Sequence, residues 1–260
     1  MRARRGTLAA LLTGAAFGGC TEVSTDPQIP LSLQFDSLPA LAVVVGDTMR
    51  GGDLLPARIP VRVFNSAGQT VSDSQVRLLG IDTASVKAFT SIGGLRLVGK
   101  SVNAAVRIVA QAGSLQSQTQ TFAVVRAPTG ISAPSAVPDS IIYDTPDTAA
   151  RNRDARVTVY SIVGADTAFL NGLRVRFRVV SFTDSILDSV RMVATGTGRN
   201  ETSALVTSGF ASLRLKAYTK PTVRPLATGI VTVETTLKAL GADVPGSPFR
   251  FTVKLVPFKL

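Results

Sequence analysis

Arg174, Arg176 and Arg178 stand one residue apart in the run from Leu173 to Val179, with Leu173, Val175, Phe177 and Val179 at the alternate positions. On an extended strand, side chains at that spacing leave from one face, and a row of guanidinium groups there can hold carboxylate, phosphate or sulfate through paired hydrogen bonds. Arg214 and Lys216 occupy the polar phase of another alternating segment, as do Arg250 and Lys254 of a third, so a basic sheet face is one reading of the pattern. Such a face would meet anionic lipid head groups, lipopolysaccharide or acidic glycans. The other reading is a solvated face, because antiparallel sheets ordinarily turn one polar side to water and charges there keep edges from pairing with other chains. Nucleic acid is not an expected partner: tryptophan is absent and no aromatic series is interleaved with the basic residues.

Other chemistries are narrowed by what is missing. The 260 residues include no histidine and one cysteine, Cys20. A Ser-His-Asp or Cys-His catalytic pair, a histidine-bearing zinc site and an intrachain disulfide are thereby excluded. Paired carboxylates need no histidine, and Asp184, Asp188, Glu201 and Glu234 are available, but their spacing singles out no pair. Asp139, Asp144, Asp147 and Asp154 gather without the spacing of a calcium loop and are read as turn formers. Gly196-Thr-Gly198 lacks the lysine and following helix of a phosphate cradle, and Asn200-Glu-Thr202 is an incidental sequon. No enzyme activity, metal or cofactor is expected.

Cys20 carries the remaining chemistry. Residues 1–19 begin with Arg2, Arg4 and Arg5, continue through an apolar stretch from Leu8 to Phe17, and end in Gly18-Gly19. That is the layout of a secretory signal, too short for a permanent membrane span. The pair Arg4-Arg5 hints at twin-arginine export, but the rest of that motif is absent, so the general secretory route is expected. Phe17-Gly18-Gly19-Cys20 resembles the lipobox of bacterial lipoproteins. The resemblance implies a diacylated Cys20 as residue one of the mature chain, acyl chains as the link to the membrane and, with Thr21 following, delivery to the outer membrane. An ordinary cleaved signal beside an unrelated cysteine is the alternative.

The elements that would position these residues are strands. Period-two alternation recurs at Ile59 to Phe64, Ala104 to Gln111, Val157 to Val163, Ala211 to Tyr218, Ile230 to Lys238 and Phe249 to Val256. Asn65-Ser-Ala-Gly68, Gly93-Gly94, Asn171-Gly172 and Ser208-Gly209 supply tight turns between them. Thr235 to Leu240 is the one tempting helix, too short to change the class. Strands near six to eight residues with charges in both phases do not suit an outer-membrane barrel, whose strands need about 9 to 11. The composition, 45 % hydrophobic and 17 % charged, suits packed cores. The predicted organisation is a signal peptide at 1–19, a spacer at 20–30, a β-sandwich at 31–127, a Pro-rich linker at 128–138 and a second β-sandwich at 139–260. The net charge of +11 is spread rather than focused, with +4 in the first sandwich and +6 in residues 128–260.

In the first sandwich Val43-Val-Val-Gly46-Asp47-Thr48, Val61-Arg-Val-Phe64-Asn-Ser-Ala-Gly68, Asp82-Thr-Ala-Ser85-Val86 and Gly93-Gly94 follow an order that resembles bacterial Ig-like domains. In the second, Asn171-Gly172 before Val175 and Phe177, Ser208-Gly209 and Gly229-Ile-Val-Thr-Val233 are similar to the invasin-like branch of that superfamily. The resemblance implies an all-β fold of two tandem antiparallel sandwiches. With the lipobox it implies an envelope-anchored, non-catalytic binding or structural lipoprotein serving adhesion or surface assembly, with envelope proteins or glycans as partners. The second functional reading is a carbohydrate-binding or carbohydrate-active accessory protein of the envelope.

Overall fold

The computed structural model describes residues 29–72, 75–133, 140–143, 152–184, 187–192, 201–219 and 228–257. The signal segment, Cys20, Asp139, Asp144, Asp147 and Gly196-Thr-Gly198 lie outside them. All regular structure among the described residues is strand.

The first sandwich contains β1 (Ser32–Phe35), β2 (Ala42–Val44), β3 (Val61–Phe64), β4 (Thr70–Val71), β5 (Arg77–Gly80), β6 (Val86–Ser91), β7 (Gly94–Gly99), β8 (Asn103–Ala112), β9 (Leu115–Gln116) and β10 (Gln120–Val125). One layer is β1-β3-β4, and the other is β2-β10-β8-β5 with β9 on β8. The β6-β7 hairpin joins the first layer, the Ile59 N–H bonding to the Leu95 carbonyl and the Met49 N–H to that of Leu97. Alternation explains the layers. Along β8, Val106, Ile108, Ala110 and Ala112 are buried while Arg107 faces outward, and along β7 Leu95 and Leu97 are buried. Between β3 and β4 the Asn65 side-chain oxygen accepts the N–H groups of Ala67 and Gln69, closing the turn that the sequence predicts there.

The second sandwich contains β11 (Gly130–Ser132), β12 (Ser140–Tyr143), β13 (Asn152–Val163), β14 (Asp166–Phe169), β15 (Arg174–Phe182), β16 (Leu187–Met192), β17 (Glu201–Leu205), β18 (Phe210–Thr219), β19 (Gly229–Thr236), β20 (Lys238–Ala239), β21 (Ala242–Asp243) and β22 (Phe249–Pro257). Its layers are β11-β13-β18-β16 and β12-β22-β19-β15-β17, with β14 on β13 and a separate β20-β21 hairpin. Gly130–Ser132, which the sequence reading assigns to the linker, is thus an edge strand of this sandwich, in register with Thr158 to Tyr160. The stretch from Thr235 to Leu240 is the end of β19 followed by β20, not a helix.

In each half the first strand is split between the two layers, and its second part runs parallel to the last strand: β2 with β10, β12 with β22. The other pairings are antiparallel. This is the immunoglobulin-like arrangement of two packed antiparallel sheets. Val175 and Phe177 of β15, Val231 and Val233 of β19, and Val253 and Leu255 of β22 form the centre of the second core, all six fully buried.

Candidate functional site

The arginine row of β15 is placed by register against acids on both sides. Arg178 lies opposite Glu201 of β17 and Glu234 of β19, and Glu234 in turn lies opposite Arg250 of β22. Charge therefore alternates across four neighbouring strands. Arg178 reaches Glu234 at 3.0 Å and Arg250 reaches it at 2.7 Å, while Arg176 pairs diagonally with Glu201 at 3.2 Å. The hydrogen bond from Arg250 is the main reason the Glu234 carboxyl is held below its ordinary range, the charges of both arginines adding to it against the opposing effect of burial.

Arg174 has a different fate. Its Nε donates to the carbonyl of Pro39 and its Nη1 to the Ser203 hydroxyl at 3.2 Å, so this side chain bridges the two sandwiches. Burial pushes its guanidinium below the ordinary value. Arg214 and Lys216 belong to β18, in the other layer, where the Lys216 ammonium stands 5.1 Å from the centre of the Tyr218 ring. The basic face suggested by Arg174, Arg176, Arg178, Arg214 and Lys216 is accordingly not one face. It is divided between opposite layers, one member is taken up in an inter-sandwich contact, and two are paired with glutamates.

A second constellation was not singled out by the sequence reading. Asp47, only 7 % exposed, accepts four hydrogen bonds: from Nε and Nη2 of Arg50 at 2.8 and 2.9 Å, from the Thr48 N–H at 2.8 Å, and from the Leu240 N–H at 2.7 Å. The last of these comes from the other sandwich. Arg50 is itself fixed by donating to the Leu54 carbonyl. Nearby, the Gly172 carbonyl accepts the N–H groups of Leu41 and Ala42 at 2.9 and 3.0 Å. Gly172 sits at φ 78°, and a Cβ there would lie 2.7 Å from the Leu41 carbonyl carbon, so glycine is required both by conformation and by closeness.

Apolar packing follows the same path. Val43 of β2 belongs to the first core, while its neighbours Ala42 and Val44 belong to the second, so one three-residue strand serves both. Ala123, Val125 and Ala127 pack against the second core as well. The crevice left beside Asp47, Arg50, Leu173 and Arg174 has a volume of about 20 Å³, room for a water and not for a substrate. Gly172 is legible as a turn residue and Asp47 as a polar residue after a strand. Nothing local signals that either meets the other half of the chain.

Of the other acids among the described residues, Asp82 has a structural partner and Asp184 stands apart. Asp82 is bonded by the N–H and guanidinium of Arg107, and its carboxyl is lowered chiefly by the side-chain hydrogen bond from Arg107. This accounts for the aspartate of the Asp82-Thr-Ala-Ser85-Val86 motif. Asp184 is exposed beyond the end of β15, and Asp154 lies in register with Arg214. Among the described residues no cluster of three acids or thiols is arranged to hold a metal.

The sequence matches no family model and no curated protein. Among solved structures it is similar to the adhesin InvE of Yersinia pseudotuberculosis at 10 % identity and TM-score 0.34, covering 86 % of this chain and 58 % of that one. Domains 4–9 of the surface layer protein SbsC are similar at 13 % identity and TM-score 0.30, with 89 % of this chain and 32 % of that one covered. A beta-glucuronidase from glycoside hydrolase family 2 is similar at 15 % identity and TM-score 0.29, over 90 % of this chain and 21 % of that one.

Proposed function

We propose that the protein is an envelope-anchored, non-catalytic binding or structural lipoprotein, held at the bacterial outer membrane by acyl chains on Cys20 and projecting two joined Ig-like sandwiches toward envelope proteins or glycans. The observation that carries this reading is the seam. A strand shared between two cores, a buried aspartate latched to the other half and a glycine carbonyl taking two cross-sandwich N–H groups resist bending between the sandwiches. A stiff spacer suits a module that carries binding loops away from a surface, whereas a two-domain enzyme closing on a substrate needs a hinge and a cleft. On this reading residues 20–30 are the tether and no cofactor is used.

Two experiments test it. Cys20→Ser should move the protein from membrane to soluble fractions, and unchanged fractionation refutes the anchor. Turnover of any glycan by the purified protein refutes the non-catalytic part. A carbohydrate-active reading has weaker support, because Glu201 and Glu234 are separated by Arg178 and the Glu234 carboxyl is shifted down. A glycosidase acid working near neutral pH needs the opposite shift.

A further inference from the structure

Arg58 and Arg96 converge on the turn of the β6-β7 hairpin. A Cβ on Gly93 would lie 2.5 Å from an Nη of Arg96, and one on Gly94 would lie 2.8 Å from Cδ and 2.9 Å from Nε of Arg58. Both side chains therefore lie flat along one dipeptide, which is open to them only because neither residue has a side chain. Each guanidinium side chain thus passes over one of two neighbouring residues of the same turn. Elsewhere in this sandwich the arginines Arg50, Arg62 and Arg107 have aspartate partners. Among the described residues Arg58 and Arg96 have none, and the Arg96 Nε is covered without any hydrogen bond. Two guanidinium groups without a carboxylate partner, one of them with a covered and unbonded Nε, leave donors free for an anion from outside.

The apex of the same turn is Ile92, fully exposed at 112 % of its reference area. An apolar tip flanked by cations is the composition of a membrane-interface contact. Its direction agrees. Because Ile59 meets Leu95 and Met49 meets Leu97, the turn points the same way as the chain from Ile59 to Phe64, toward the end where the Leu31 N–H bonds the Phe64 carbonyl. There the chain enters from residues 1–30. The second sandwich is attached near Leu41 to Asp47, and β7 runs toward that region to the bridge between Gly99 and Val45, away from the turn. The 11 residues from Cys20 to Pro30 reach at most about 40 Å.

We propose that this turn is a membrane-docking tip, in which Ile92 enters the interfacial layer of the bilayer and Arg58 and Arg96 pair with the phosphates of anionic lipids. The proposal rests on the anchored reading above for its orientation, but its binding chemistry is separate. The test uses the absence of tryptophan: the full chain carrying Cys20→Ser and Ile92→Trp has a single tryptophan, placed at the tip and excited selectively over the three tyrosines. Vesicles of phosphatidylcholine with phosphatidylglycerol should shift its emission to the blue, phosphatidylcholine alone should not, and salt should suppress the shift. At about 1 kcal/mol per surface arginine, Arg58→Ser with Arg96→Ser should weaken binding roughly 25-fold, whereas Lys254→Ser should leave it unchanged. No shift, or a shift indifferent to the two arginines, overturns the proposal. A shift with polygalacturonate and not with vesicles also overturns it and assigns the tip to acidic glycans. Fractionation of Cys20→Ser reports the anchor alone, so either idea can fail without the other.

Discussion

Glu234 illustrates what a single carboxylate does in this molecule. It lies between two guanidinium groups on neighbouring strands, and its folded-state proton affinity is below that of the unfolded chain. A carboxylate depressed in this way stabilises the fold at pH above its ordinary value of about 4.3, and that contribution is lost as pH falls through the lower, folded value. Glu234→Gln should therefore lower stability at neutral pH and flatten its fall in acid, which urea titrations at several pH values will reveal. If the acid slope is unchanged, the two arginines do not hold Glu234 as described. Phe177 belongs to the same scale with a different currency: fully buried in the second core, its replacement by alanine should cost about 3–5 kcal/mol in the same titration.

At the scale of elements, the joint between the sandwiches depends on short pieces of chain. Gly172→Val would place methyl groups against the Leu41 backbone and force a β-branched residue to positive φ. The expected result is a loss of more than about 2 kcal/mol, accompanied by greater susceptibility of the 127–133 stretch to limited proteolysis. Asp47→Ala removes the acceptor from the Arg50 guanidinium and the Leu240 N–H and should cost about 2–4 kcal/mol. A loss for either variant within error of zero argues against the latch. The strands themselves are readable one by one: β8, β15 and β22 carry their alternation openly, and Asn65 to Gly68 announces its turn. The site is far less so. The same alternation that put Arg176 and Arg214 each on a polar phase says nothing about which layer a strand joins, because layer choice is decided by contacts between distant strands. For the same reason the bond from Leu240 to Asp47, spanning 193 positions, leaves no trace in the residues around either end.

At the scale of the whole molecule, sharing β2 between two cores couples their stabilities. Removing the second sandwich would expose Ala42, Val44 and Val125 on the first, so a chain ending near residue 127 is expected to be less stable than the same residues in the full protein. Calorimetry of the full chain should give one cooperative transition, separating into two in Gly172→Val. Two independent transitions in the unaltered protein contradict the coupling. The parallel pairs β2 with β10 and β12 with β22 have a mechanical meaning under tension, such as the proposed anchor would transmit. A pull between the two ends of a sandwich would draw the members of each pair past one another along their length. Their cross-strand hydrogen bonds then share the load and must fail together, where a hairpin pulled from its open end would lose them one at a time.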